Sequence, residues 1–239
     1  IDPNNPDYLA ARARYLLRQG DTAGAQKQLD LLAKLAPDSA ALKATRSEID
    51  LSGDKGQQEL QQARLLGVAG KVDEAIAAYE KLFGGVPTDT EAAIEYWTLV
   101  ARLPARHSEG VSQLKKLNAS TPDNVTLLTS LAKQMFSDNK QQEGFAYLEQ
   151  MARSASGRGI AADMWLGEIK TMSVSSGSVQ ALQRFLLLFP AGSAAANARL
   201  LLAQQQTQLK DPTFRAKSEG LAAVKSGNAE QAVADLQQA

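Results

Sequence analysis

The chain repeats itself. From Gly20 it reads "GDTAGAQKQLDLLAKLAPDS" and from Gly70 "GKVDEAIAAYEKLFGGVPTD". Both stretches hold a glycine, a small residue, a large apolar residue and a proline in one order: Gly20, Ala25, Leu29, Pro37, then Gly70, Ala75, Tyr79, Pro87. Every matched pair is 50 positions apart. The prolines extend the pattern, with Pro3 and Pro37 separated by 34 positions, Pro87 and Pro122 by 35, and Pro122 and Pro190 by 68, twice 34. Position 156, midway between the last two, holds Ser156 in the turn-forming run "SASGRG". Apolar columns keep the same step: Gly110 and Gly144; Leu114, Leu148 and Leu182; Leu117, Met151 and Phe185. Several columns sharing one period define a stack of supersecondary units in which each unit contacts its neighbours.

Each period divides into two helices. Apolar residues recur at helical spacing in "AARARYLLRQ" and again in "AGAQKQLDLLAKL", and Gly20 interrupts them. A glycine there supplies the left-handed residue that ends a helix. The small residue five positions later, Ala25 or Ala75, falls where two helices approach closely, and Gly110, Gly144 and Ala232 take the same slot. Proline near the second helix's end stops it, having no amide hydrogen and disfavouring helix in the residue before. In "TDTE", Thr88 and Glu91 are expected to form a capping box that opens the next helix.

This pattern resembles the tetratricopeptide repeat. The first-helix signature stands as Leu128, Leu131, Ala132 and Met135, and the second-helix signature as Ala75, Tyr79, Leu82 and Pro87. Good copies span 6–39, 56–89 and 125–158, and weaker ones 91–124 and 159–192. A last copy begins near Thr213 and shows Gly220, Gly227, Ala232 and Leu236. Two intervals exceed the period by about one helix each, and each contains one, at 39–52 and 193–209; each is read as an unpaired helix, the alternative being a strongly diverged half-repeat that packs in the ordinary way. The expected fold is therefore all-α, an α-solenoid of tetratricopeptide helix-turn-helix repeats with two unpaired helices breaking the superhelix. Its expected organisation is a first repeat at 1–39, an unpaired helix and hinge at 40–55, and a central block of four repeats at 56–192. A second unpaired helix at 193–212 and the start of a further repeat at 213–239 complete it.

Composition narrows the function. The chain is 44% hydrophobic but only 5% aromatic, so helix formers dominate. Its 26 basic residues balance 26 acidic ones, which leaves no field to draw nucleic acid or an anionic membrane. The longest apolar run, "FLLLF" at 185–189, is far short of the ~18 residues of a membrane helix. Cysteine is absent, which removes disulfides and thiolate zinc sites. The chain opens on "IDPNNPDY" in mid-motif without a leader pattern and is expected to be a section of a longer polypeptide.

Catalytic chemistry is sparse. The single histidine, His107 in "LPARHSEG", is expected as a solvated residue at a turn between helices, without metal-ligand spacing around it. "GRG" at 157–159 follows no strand and reads as a turn between repeats, not a phosphate loop. Asp73 and Glu74 lie beside lysines, as on a solvated helix face, and the sequons at Asn118 and Asn124 match by chance. Trp97 and Trp165 occupy the seventh repeat position, where a core leucine normally sits, so both are expected in the core, as are Tyr79 and Phe83. The concave surface is expected at first-helix positions two, five, nine and twelve: Arg64, Glu95, Arg102, Thr129, Lys133 and Phe136. Both charges and one aromatic there suit a protein or a polysaccharide equally.

The particular wording is similar to one family. "IDPNNPD" at 1–7, "LLRQGDTAGAQKQLD" at 16–30, "EYWTLVARLPAR" at 95–106, "EGFAYLEQMA" at 143–152 and "EGLAAVKSG" at 219–227 resemble the amino-terminal repeat region of cellulose synthase operon protein C. The resemblance implies a non-catalytic periplasmic scaffold that needs no cofactor, joining an inner-membrane synthase to an outer-membrane export barrel and guiding the glucan. It implies the other cellulose synthase subunits and the cellulose chain as partners, without nucleic acid or membrane insertion by this segment, and a monomer in isolation. Two other readings stand beside it. A peptide-tail receptor of the chaperone-cofactor kind would need Lys, Arg and Asn gathered on adjacent first helices, and Arg64 and Lys133 are not in adjacent repeats. An all-α glycan enzyme would need an enclosed pair of carboxylates.

Overall fold

The computed structural model describes residues 2–237, so Ile1 of the first expected block and Gln238 and Ala239 of the last lie outside the described residues. Fourteen α-helices and one short 3-10 turn make up the regular structure among the described residues. The chain forms two compact units, divided in sequence between Leu114 and Lys115.

The first unit begins with the antiparallel hairpin α1 (Pro6–Arg18) and α2 (Thr22–Leu35). Asn5 caps α1 by accepting from the amides of Asp7 and Tyr8, and Asp21 caps α2 by accepting from Gly24. Gly20 lies between them at φ +79°, and Gly70 holds the equivalent turn between α4 (Asp54–Val68) and α5 (Val72–Phe83) at φ +80°. These are the left-handed turns the spacing predicts. In the second unit the same place between α8 (Val125–Ser137) and α9 (Gln141–Met151) is held by Asn139 at φ 58°. Asparagine tolerates that backbone because its short polar side chain can bond locally.

Between the first two hairpins runs α3 (Ala40–Ser52), capped by Ser39. It packs against α1, α2, α4 and α5. Leu42 and Ile49 complete one apolar core with Leu9, Leu29 and Leu32, whereas Leu51 touches a separate core centred on Tyr79, Phe83, Tyr96 and Val100. An Arg14–Glu48 ion pair at 2.8 Å also joins α3 to α1. The passage into α4 is short, because Gly53 alone separates the two helices. The second core adds α6 (Thr90–Val100), followed by the 3-10 turn Pro104–Arg106 and by α7 (His107–Ser120), within which the unit boundary falls. The cap of α6 is Asp89, accepting from the Ala92 amide, and not the expected Thr88.

The second unit continues with α8, α9, α10 (Ala155–Thr171), α11 (Ser176–Leu188), α12 (Ser193–Gln208), α13 (Pro212–Lys225) and α14 (Ala229–Leu236). "GRG" is no turn: Ser154 caps the Gly157 amide, and the three residues form the first turns of α10. A core of Phe145, Leu148, Met151, Trp165, Leu182, Phe185 and Phe189 joins α9, α10 and α11. Helix α12 packs against α11 and α10 and is held partly by polar bonds. Gln205 is buried and accepts from the Ser178 hydroxyl at 2.7 Å. From α13, Ser218 donates to the Val174 carbonyl, and Glu219 accepts from the Ser176 amide at 2.6 Å.

The small-residue slots follow from helix contact. A Cβ on Gly144 would overlap the Phe136 ring, and one on Gly110 would overlap the backbone of Ala101. Gly167 on α10 is the opposite case, exposed and facing open space. Gly167→Ala should therefore raise stability by about 0.5–1 kcal/mol, because alanine loses less backbone freedom in a helix. A higher denaturant midpoint with an unchanged slope is the expected reading.

Candidate functional site

Of the six residues expected on the concave surface, three belong to the first unit. Arg64 on α4 reaches Glu95 on α6 through Nε at 3.0 Å and through a second guanidinium nitrogen at 2.9 Å. The Tyr79 hydroxyl on α5 donates to the same carboxylate at 2.5 Å. A matching bond runs the other way, from the Tyr96 hydroxyl to Glu80 at 2.6 Å. Each tyrosine and each glutamate neighbours the other pair's partner in sequence, so α5 and α6 are clasped twice. Burial, with the Glu95 carboxylate second, pushes the Tyr79 phenol up, and the bond to Glu95 raises the Arg64 guanidinium. Arg102, just past α6, donates to the Gly67 carbonyl at 2.8 Å and satisfies the end of α4. The three side chains are engaged in holding helices together.

The other three lie in the second unit. Thr129 is half-buried, its hydroxyl 3.5 Å from the Met151 sulfur. Lys133 and Phe136 line a groove of about 1600 Å³ bounded by α8, α9, α10, α11, α13 and α14. Phe136 stands edge-on to Phe145 at 5.2 Å and forms part of the apolar floor with Met164. Glu168, Gln180 and Arg184 line the same groove, and the sequence reading missed them. Helix α10 starts at Ala155, earlier than the copy at 159–192, so its groove-facing residues are offset from the expected positions. The signal was Ser154, a strong helix cap. Burial without a cation beside it raises the Glu168 carboxyl above its ordinary value.

The tryptophans part company. Trp165 is fully buried, and its indole N–H donates to the Ala181 carbonyl at 3.0 Å. Trp97 is only half-buried, edge-on to Tyr96 at 4.9 Å, so the expectation that both are core holds for Trp165 alone. Tyr79 and Phe83 are buried as expected. His107 is not a solvated turn residue: it opens α7, half-buried, with Nδ1 2.6 Å from the Ala101 carbonyl. Asn124 caps α8. Among the described residues no three His, Cys, Asp or Glu side chains are gathered as a metal site would require, and no helix is long and apolar enough to cross a membrane.

Helical hairpins of about 34 residues, left-handed turns at fixed positions and small residues at the crossings define an α-solenoid of tetratricopeptide type. Over all 239 residues the chain is 53% identical to cellulose synthase operon protein C of Escherichia coli K12 and 52% identical to that of Salmonella typhimurium. It is 30% identical over 236 residues to the Xanthomonas axonopodis pv. citri protein of the same name. It matches 21%, 20% and 16% of these relatives, so it spans about a fifth of their length or less. A crystal structure of the flexible tandem repeat domain of a bacterial cellulose synthase component is similar at 55% identity and a TM-score of 0.62, covering 88% of this chain and 86% of that one. No protein-family model matches. The chain belongs to the cellulose synthase operon protein C family, as part of its tandem repeat domain.

Proposed function

We propose that this chain is a non-catalytic periplasmic scaffold of the cellulose synthesis and export machinery, linking the inner-membrane synthase to an outer-membrane barrel and guiding the glucan between them. The observation that carries the reading is identity above 50% along the whole chain to two proteins named for the cellulose synthase operon. The architecture supports it, since a stack of neighbour-packed hairpins offers long grooves and faces for partners. In-frame deletion of these residues from the host protein should leave glucan synthesis by membranes intact and remove exported cellulose. Cross-linkers placed at Lys27 and Lys217, both exposed, should capture other synthase subunits. Normal export after deletion, or capture of no synthase subunit, would overturn the scaffold.

The unpaired helices serve this role as joints. The first two hairpins keep separate apolar cores on either side of α3, and small interfaces between blocks favour relative motion. Spin labels at Asp38 and Lys71, both exposed, should give a broad distance distribution, which deletion of residues 40–55 narrows. One narrow distance in the intact chain would count against the joint.

A further inference from the structure

We propose that the groove of the second unit is a binding site for an uncharged β-linked glucan segment, with sugar rings lying over Phe136 and Met164 and their hydroxyls meeting Glu168, Gln180 and Lys133. This deepens the scaffold reading and rests on it.

The lining chooses the class of ligand. Twelve of its 28 residues carry a neutral amide or hydroxyl, and the rest include four cationic and four acidic side chains. Most of those charges are already answered within the protein. Arg184 pairs with Glu149, and Glu143 pairs with Lys115 at 3.0 Å. Lys140 meets Asp138 at 3.4 Å, and Asp235 accepts from the Gln231 amide at 2.9 Å. Glu219 takes the Ser176 amide. A receptor for a carboxylate tail holds a clear surplus of cations; here four cationic and four acidic side chains balance, and of the charges left open Lys133 and Lys225 stand with Glu168. Beside these three charges, the open lining is a neutral, hydroxyl-bonding wall above an apolar floor of Phe136, Phe145 and Met164. A β-linked glucan has that complementary form, with C–H faces on its rings and hydroxyls along its edges.

Glu168 is the most telling member. Its carboxylate is half-buried, forms no hydrogen bond or ion pair among the described residues, and faces the groove. A desolvated acceptor with two oxygens is costly when empty and suits a pair of adjacent sugar hydroxyls. The binding floor also rests on a firm base, because Phe136 is seated against Gly144 and Phe145.

The test titrates the 239-residue chain with cellohexaose and follows backbone amide shifts. Saturable shifts should cluster at Lys133, Ser176 and Gln180. Glu168→Ala, at a half-exposed position where folding is retained, should weaken binding about tenfold, the loss of one hydrogen-bonded charged acceptor. Maltohexaose, its α-linked counterpart, should bind more weakly than cellohexaose. Shifts confined elsewhere, affinity unchanged by Glu168→Ala, or a carboxylate-ended peptide binding where cellohexaose does not would each overturn the proposal. Absent glucan binding with synthase cross-links preserved removes the groove assignment alone. Glucan binding without any cross-links removes the scaffold instead.

Discussion

Trp165→Ala should lower stability by about 3–5 kcal/mol, the usual range for truncating a large buried aromatic. The ring sits at the centre of a stack of aromatics, 4.7 Å from Phe145, 6.4 Å from Phe185 and 6.5 Å from Phe189. These three come from α9, from α11 and from the residue ending α11, so one side chain on α10 joins neighbouring helices. Removing it leaves a cavity that helices tied to both neighbours cannot collapse to fill, and it deletes the indole bond to Ala181. Trp165→Phe should restore part of the loss, since it refills volume but lacks the donor. Trp97→Ala should cost clearly less, its ring being half in water. Chemical denaturation of the three variants gives the order, and a Trp165→Ala midpoint equal to that of the unaltered chain would refute the stack's role.

That contrast shows where the sequence was legible. The hairpins, their left-handed turns and the small crossing residues depend on local backbone geometry and on the next helix along. A period of 34 residues records such contacts directly. Trp97 and Trp165 share a repeat position, yet their burial is decided by what the adjacent repeat places over them. Around Trp165 that is Phe185 and Phe189; around Trp97 the cover is thinner. The caps failed for a related reason. Thr88 and Asp89 are both good caps one residue apart, and it is Asp89, with extended backbone and its carboxylate on the Ala92 amide, that holds the place. The groove was least legible, because it draws on the weak copy at 159–192 and on the final hairpin as well as on a good copy. Lys133 and Phe136 were found because their copy is a good one. Glu168 was missed because α10 begins ahead of the period. The reciprocal Tyr79–Glu95 and Tyr96–Glu80 bonds left no sequence trace beyond two pairs of adjacent residues.

Ala75→Leu should destabilise the first unit by about 1–3 kcal/mol, although leucine is itself a good helix former and burying it elsewhere would help. The reason is the crossing of α4 and α5. Ala75 is wholly buried, and on α4 it faces Gly67, where even an added Cβ would lie 3.9 Å from the Ala75 methyl and 2.9 Å from Leu99. Two backbones therefore approach at a point where neither side has spare volume. Three more carbons at position 75 must push α4 and α5 apart or drive Leu99 off its rotamer. Moving α4 also strains the Arg64–Glu95 pair and the Arg102 bond to the Gly67 carbonyl, which are set by the same approach. Ala77→Leu is the control, because Ala77 lies on the exposed side of α5 and the same change there should stay within about 0.5 kcal/mol. If both variants melt alike, position 75 is not the crossing point and the 34-residue register is misassigned. If Ala75→Leu alone falls, and Gly67→Ala falls with it through Leu99, the small-residue slot is what lets these hairpins close.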